Sequence, residues 1–111
     1  MGREPQPLGE FEQMVLLAVL CVAEQDVDPY GVNVHAELEA RAKRRVARGA
    51  IYMTLDRLEK KGLLQSYLTD PTPERGGRAR RCYRVTRPAL AALDASRRAL
   101  EALWAGTGRP G

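Results

Sequence analysis

Arginine carries most of the chemistry available to this chain. Fifteen of the eighteen basic residues are Arg, and a guanidinium is a planar fork of donors that fits phosphate oxygens or the O6/N7 edge of guanine. Position matters more than number here. Residues 1–40 carry a formal charge of −7, residues 41–87 carry +10 and residues 88–111 carry +1, so the net +4 conceals a polarised molecule. A basic block of that strength favours a polyanionic partner, with nucleic acid first among the options. Taken alone, the block is equally consistent with a solvated surface.

Other chemistries find no support in residue type and spacing. No carboxylate pair, Cys–His pair or Gly-rich phosphate loop falls at a mechanistically useful separation, and Gly76-Gly77 reads as a hairpin turn, so an enzyme is not expected. Cys21 and Cys82 are too few for a disulfide framework, and with His35 as the sole histidine no set of four good ligands exists for zinc. No metal and no cofactor are expected. His35 reads as a solvated or half-buried helix residue. A chain of 111 residues fits one domain with a single small core. The longest apolar run, Met14 to Ala23, is about half of a membrane span. The opening MGREPQP lacks the features of a secretory signal, so a cytoplasmic protein without membrane contact is expected.

The elements that must position the arginines follow from periodicity. Residues 1–7 read as a disordered arm. GEFEQMVLLAVLCVAE is a Pro-free helix from Leu8 or Gly9 to about Glu24, apolar around most of its circumference and therefore central, with Cys21 as a small buried hydrophobe. Gln25 to Tyr30 is a turn, and a second helix runs from about Gly31 to Ala42. Lys43 to Arg48 is a basic connector in which Val46 is able to anchor a short strand. The third helix, GAIYMTLDRLEKKG, buries Ile51, Leu55 and Leu58 and closes on a left-handed Gly62. Its opposite face presents Ala50, Met53, Thr54, Arg57 and Lys61. After Gly62 the period changes to two, giving strands around Leu64, Ser66 and Leu68 and around Arg81, Tyr83 and Val85, with Tyr83 in the core. A long, flexible, Arg-tipped loop joins them. A last helix spans about Pro88 to Trp104, and residues 106–111 read as a frayed tail.

Three helices followed by a hairpin is the order of a winged helix-turn-helix domain, mainly α with a small β-hairpin, in which the third helix enters the major groove and the wing touches the backbone. The charge map follows that order, since every segment expected at DNA lies within the +10 block. In that geometry Ala50, Met53, Thr54 and Arg57 make base-edge contacts. Arg57 pairs bidentately with guanine, and Met53 or the Thr54 methyl meets a thymine methyl. Arg48, Tyr52, Lys60 and Lys61 position the backbone, and Arg78, Arg80 and Arg81 serve the wing. For Tyr52 a packing role competes with DNA contact.

GAIYMTLDRLEKKGLL followed by GGRARRCYRVT resembles the PadR-like transcriptional regulators. The resemblance rests most on Ile51-Tyr52 paired with Tyr83-Arg84-Val85-Thr86, with Tyr30-Gly31 matching a further position, and it covers about residues 9–104. Two departures stand out. Ala47-Arg48-Gly49 offers no side-chain cap ahead of the third helix, and Thr86-Arg87-Pro88-Ala89 replaces the family's Thr-Glu-x-Gly. The resemblance implies residues 8–86 as the winged-helix domain and 87–105 as a dimerisation helix packed on the partner's first helix.

Leu90, Leu93, Leu100, Leu103 and Trp104 form an apolar stripe on that last helix. A terminal stripe of this spacing makes a dimer interface, and a dimer matches an inverted-repeat operator on double-stranded DNA. Packing of the stripe on the chain's own first helix is the alternative. By resemblance, Trp104 is a candidate contact for a planar hydrophobic effector, and a homodimeric repressor released by that effector is expected. A winged helix used as a protein-interaction module, without sequence-specific DNA binding, is the competing function. RNA binding ranks lower, because six aromatic residues leave little stacking surface.

Overall fold

The computed structural model describes residues 7–70 and 79–110. The N-terminal arm and most of the wing loop, Arg75 and Arg78 included, lie outside the described residues. The element order is α1 (Glu10–Glu24), α2 (Gly31–Ala42), α3 (Arg48–Lys60), β1 (Leu64–Leu68), β2 (Arg81–Val85) and α4 (Arg87–Gly106). The chain is therefore mainly α with one antiparallel hairpin, whose register pairs Leu64 with Val85 and Ser66 with Tyr83.

The core lies where α1, α2, α3 and the hairpin meet. Val15, Leu16 and Val19 of α1 are buried against Val34 of α2 and Ile51, Leu55 and Leu58 of α3, with Leu64 and Tyr83 closing the strand side. Burying an aliphatic side chain of this size is worth about 1.5–3 kcal/mol, so these residues dominate the stability of the head. Central as α1 is, it is not covered all round. Leu17 is exposed on the flank of α1 nearest α4, and Cys21 is only half-buried in a cleft between α1 and α2.

Local chemistry fixes each joint. At the start of α1 Gly9 has no side chain to cap with, so Glu12 works in the other direction: its Oε1 accepts the Gly9 amide at 3.2 Å. The α2–α3 connector contains no strand at Val46, a departure from expectation. Its backbone is held by side chains instead. His35 Nε2 donates to the Val46 carbonyl at 2.7 Å, and Glu39 Oε2 accepts from the Val46 amide at 2.8 Å. Because a carbonyl only accepts, Nε2 carries the proton in this bond. Lys43 closes α2 in the left-handed region with φ +56°.

Gly62, at φ +78°, ends α3 in a Schellman arrangement. The Leu63 amide reaches the Leu58 carbonyl and the Gly62 amide the Glu59 carbonyl, both at 2.9 Å. Both edges of β2 are paired. β1 lies along one edge, and on the other Tyr30 forms an antiparallel bridge to Cys82 while the Tyr83 amide donates to the Pro29 carbonyl at 3.0 Å. The wing is thus anchored to the α1–α2 turn. Thr86 then sets the departure of α4, since its Oγ1 donates to the Gly62 carbonyl at 2.8 Å and caps the Ala89 amide at 3.4 Å. The altered family motif still directs the last helix through this one threonine.

Candidate nucleic-acid interface

The faces of α3 are assigned by burial. Ile51, Leu55 and Leu58 face the core, and Thr54 joins them at 2% exposure. A side chain so buried cannot meet a base, which corrects the expectation for Thr54. α1 covers this flank of α3, and the Thr54 hydroxyl accepts from Arg57 Nη2 at 3.2 Å. Gly49, Met53, Asp56 and Lys60, spaced i, i+4, i+7 and i+11, form the outward stripe. Met53 is 69% exposed and stands at its middle. Ala50 is half-buried at the edge, and Arg48 is exposed at the N-terminus.

Tyr52 has a packing role as well as an exposed surface. A Cβ on Gly31 would sit 2.3 Å from Tyr52 Cε1, so the ring rests directly on the first turn of α2. The two short family motifs, Tyr30-Gly31 and Ile51-Tyr52, meet at this knob and socket. Tyr30 is engaged on its ring face as well, with the Arg80 guanidinium 4.2 Å from the ring centroid. Arg80 is thereby placed at the root of the wing.

Carboxylates organise the remaining cations. Glu12 uses Oε2 to accept from Lys61 Nζ at 2.7 Å, with Arg57 Nε at 3.7 Å from the same oxygen. The Lys61 hydrogen bond holds the Glu12 carboxyl below its ordinary range, against a smaller opposing effect of burial. Glu59 accepts from Ser66 Oγ at 2.6 Å and from the Arg81 guanidinium, tying α3 to both strands. Its carboxyl is lowered too, chiefly by the Ser66 hydroxyl. Lys60 Nζ lies 3.1 Å from Asp56 on the outward stripe. Arg57 and Lys61 thus flank the outward stripe on one side, held by Glu12, and Arg81 flanks it on the other, held by Glu59.

The N-cap of α3, Ala47, makes no side-chain cap. The Arg48 and Gly49 amides accordingly have no acceptor among the described residues, as the first amides of an uncapped helix should. Of the residues expected at DNA, Arg48, Met53, Arg57, Lys60, Lys61, Arg80 and Arg81 are gathered along α3 and the wing root. Gly49, Asp56 and Glu12 were not anticipated. A strict helical projection from Ile51, Leu55 and Leu58 locates the first two; nothing local in sequence announces Glu12.

The terminal helix divides into two parts. Ala89, Ala92 and Leu93 are buried against the core of the single chain, with Leu93 at the edge of the groove between α1 and α4. Two alanines let the proximal turns approach closely enough to seat Leu93 against the core of the same chain. Leu90, Leu100, Leu103 and Trp104 are exposed, Leu103 at 69% and Trp104 at 49%. Between α1 and α4 runs a groove of about 400 Å³, with Leu17 and Leu20 on one wall and Leu90, Leu93 and Leu100 on the other.

Residues 19–94 match the pattern of the transcriptional regulator PadR-like family. The chain belongs to that family. It is 40% identical over 98 residues to the transcriptional regulator Rv3488 of Mycobacterium tuberculosis, covering 86% of this chain and 85% of the relative. Among solved structures, a PadR-like transcriptional regulator from Bacillus cereus superposes with a TM-score of 0.67 at 20% identity, covering 88% of this chain and 87% of the other. A transcriptional regulator from Clostridium thermocellum gives 0.65 at 18% identity, covering 87% and 88%. At those identities the structural likeness speaks to the fold alone. Family membership makes this PadR-like chain a transcriptional regulator and not an enzyme. No helix among the described residues is long and apolar enough to cross a membrane.

Proposed function

We propose that this PadR-like regulator binds double-stranded operator DNA as a homodimer, with α3 in the major groove and the wing on the backbone. The observation that carries the reading is the outward stripe of α3. It has no protein cover, and it is flanked by Arg57 and Lys61 and joined to the basic hairpin through Glu59. Met53 and Arg57 supply base contacts, with Ala50 at the groove edge. Arg48, Lys60, Lys61, Arg80 and Arg81 supply phosphate contacts, and Arg78 in the wing loop adds to them. Tyr52 supports the backbone contact through its packing on Gly31.

Fluorescence anisotropy with a duplex selected from a random pool tests the proposal. Affinity should fall steeply with salt, and the selected sites should be inverted repeats with half-sites about one helical turn apart. Arg57→Ala should relax sequence preference, whereas Lys60→Ala should weaken all duplexes alike and lower the salt slope by about one. Binding to an acidic protein with no response to duplex DNA would favour an interaction module instead.

Dimerisation occupies the exposed part of α4. Leu90, Leu100, Leu103 and Trp104, with Leu17 and Leu20 across the groove, offer a self-complementary apolar surface to a second copy. Trp104, half-exposed on this surface, is the contact for a planar hydrophobic effector, whose binding releases the repressor from DNA. Quenching of Trp104 fluorescence together with loss of DNA affinity supports this assignment. Quenching that leaves DNA affinity unchanged removes it.

A further inference from the structure

The outward stripe of α3 contains an acid where the partner is a polyanion. Asp56 lies one turn beyond Met53 on the stripe opposite Ile51, Leu55 and Leu58, and it is exposed. The other acid of α3, Glu59, is engaged by Ser66 and Arg81 and so belongs to the scaffold. Asp56 instead pairs with Lys60 at 3.1 Å, a flexible ammonium on the same stripe. A carboxylate facing the groove repels phosphates, so in a head that otherwise gathers cations it lowers affinity for every sequence. Such a group favours a site only where it meets a hydrogen-bond donor on a base edge.

Resting on the DNA-reading function proposed above, we infer that Asp56 determines specificity by accepting a hydrogen bond from the N4 amino group of a cytosine in each half-site. In the major groove that amino group is the donor cytosine offers, and a carboxylate is an acceptor matched to it. Adenine also carries an amino donor, but its N7 acceptor lies beside it and repels the second carboxylate oxygen. Lys60 offsets the charge of Asp56 against the flanking phosphates, and Met53, next on the stripe, fits a neighbouring thymine methyl. Gly49, where an added Cβ would meet nothing within 4 Å, keeps the first turn slim for close approach to the duplex.

The experiment is selection from a random duplex pool with the full chain as wild type, Asp56→Ala and Asp56→Asn, alongside anisotropy on one unrelated duplex. Wild type should select cytosine at one position per half-site. In Asp56→Ala that single preference should fall by about 5- to 150-fold, the span expected for one good base contact, while binding to the unrelated duplex tightens. Asp56→Asn should change the selected base from cytosine to adenine, because an amide both donates to N7 and accepts from N6. If both variants select the wild-type pattern, Asp56 is only a repulsive charge and the inference is overturned. If wild type binds no duplex at any salt, the DNA-reading function itself fails with it, whereas selection of a pattern lacking the cytosine position overturns the role of Asp56 alone.

Discussion

Gly31 and Tyr52 form a close fit between α2 and α3, with a Cβ at position 31 reaching 2.3 Å from the Tyr52 ring. Gly31→Ala should therefore lower stability by about 1 kcal/mol, at the low end for overpacking because the half-exposed ring can be displaced toward water. In a Tyr52→Ala background the same change should become neutral or stabilising, since the clash is gone and Ala is the better helix former. Urea denaturation of the four proteins checks this reversal of sign. Glu12 provides a second test. Its folded carboxyl lies below the ordinary value near 4.5, first through the Lys61 hydrogen bond, so the stability it contributes is full above that value and is lost as pH falls through the folded value. The stability gap between wild type and Glu12→Gln should be full at pH 7 and close below about pH 4.5. A gap that persists unchanged in acid would show that the carboxylate is not its source.

At the level of elements, most of the architecture was legible and most of the reading surface only partly so. The bounds of α2 and the hairpin follow from Gly and Pro punctuation and from the change of period after Gly62, signals carried by neighbouring residues. Thr54 was misplaced because the row 50, 54, 57, 61 is compatible with either a groove or a packed flank. What buries Thr54 is α1, and the bond that fixes that crossing is made by Glu12, far away in sequence. The burial of Leu93 was not legible for a related reason. A leucine stripe does not reveal that Ala89 and Ala92 let its first turns sink into the core. The Glu12 link also carries a prediction for α3 as a unit. Glu12→Gln removes a competitor for Lys61 and Arg57, and should tighten binding to all duplexes and steepen the salt slope, measured by anisotropy over a salt series.

At the scale of the whole molecule, the extents of 54 × 38 × 24 Å reflect an α4 whose distal half leaves the body of the head. Leu103→Glu or Leu100→Glu should leave the helical content of the head unchanged while shifting sedimentation from dimer to monomer, because both side chains are exposed in the single chain and an apolar interface does not admit an unpaired charge. Operator affinity should fall with the loss of the second half-site contact. Unchanged sedimentation for both variants would place the dimer contact elsewhere or remove it. The uncovered stripe on α4 also carries a consequence in mass action. If only a second copy covers it, the melting temperature rises with protein concentration, and operator occupancy at low abundance varies as the square of the number of chains. The exposed leucines of one helix would then act as a threshold, below which the regulator is present in the cell but silent.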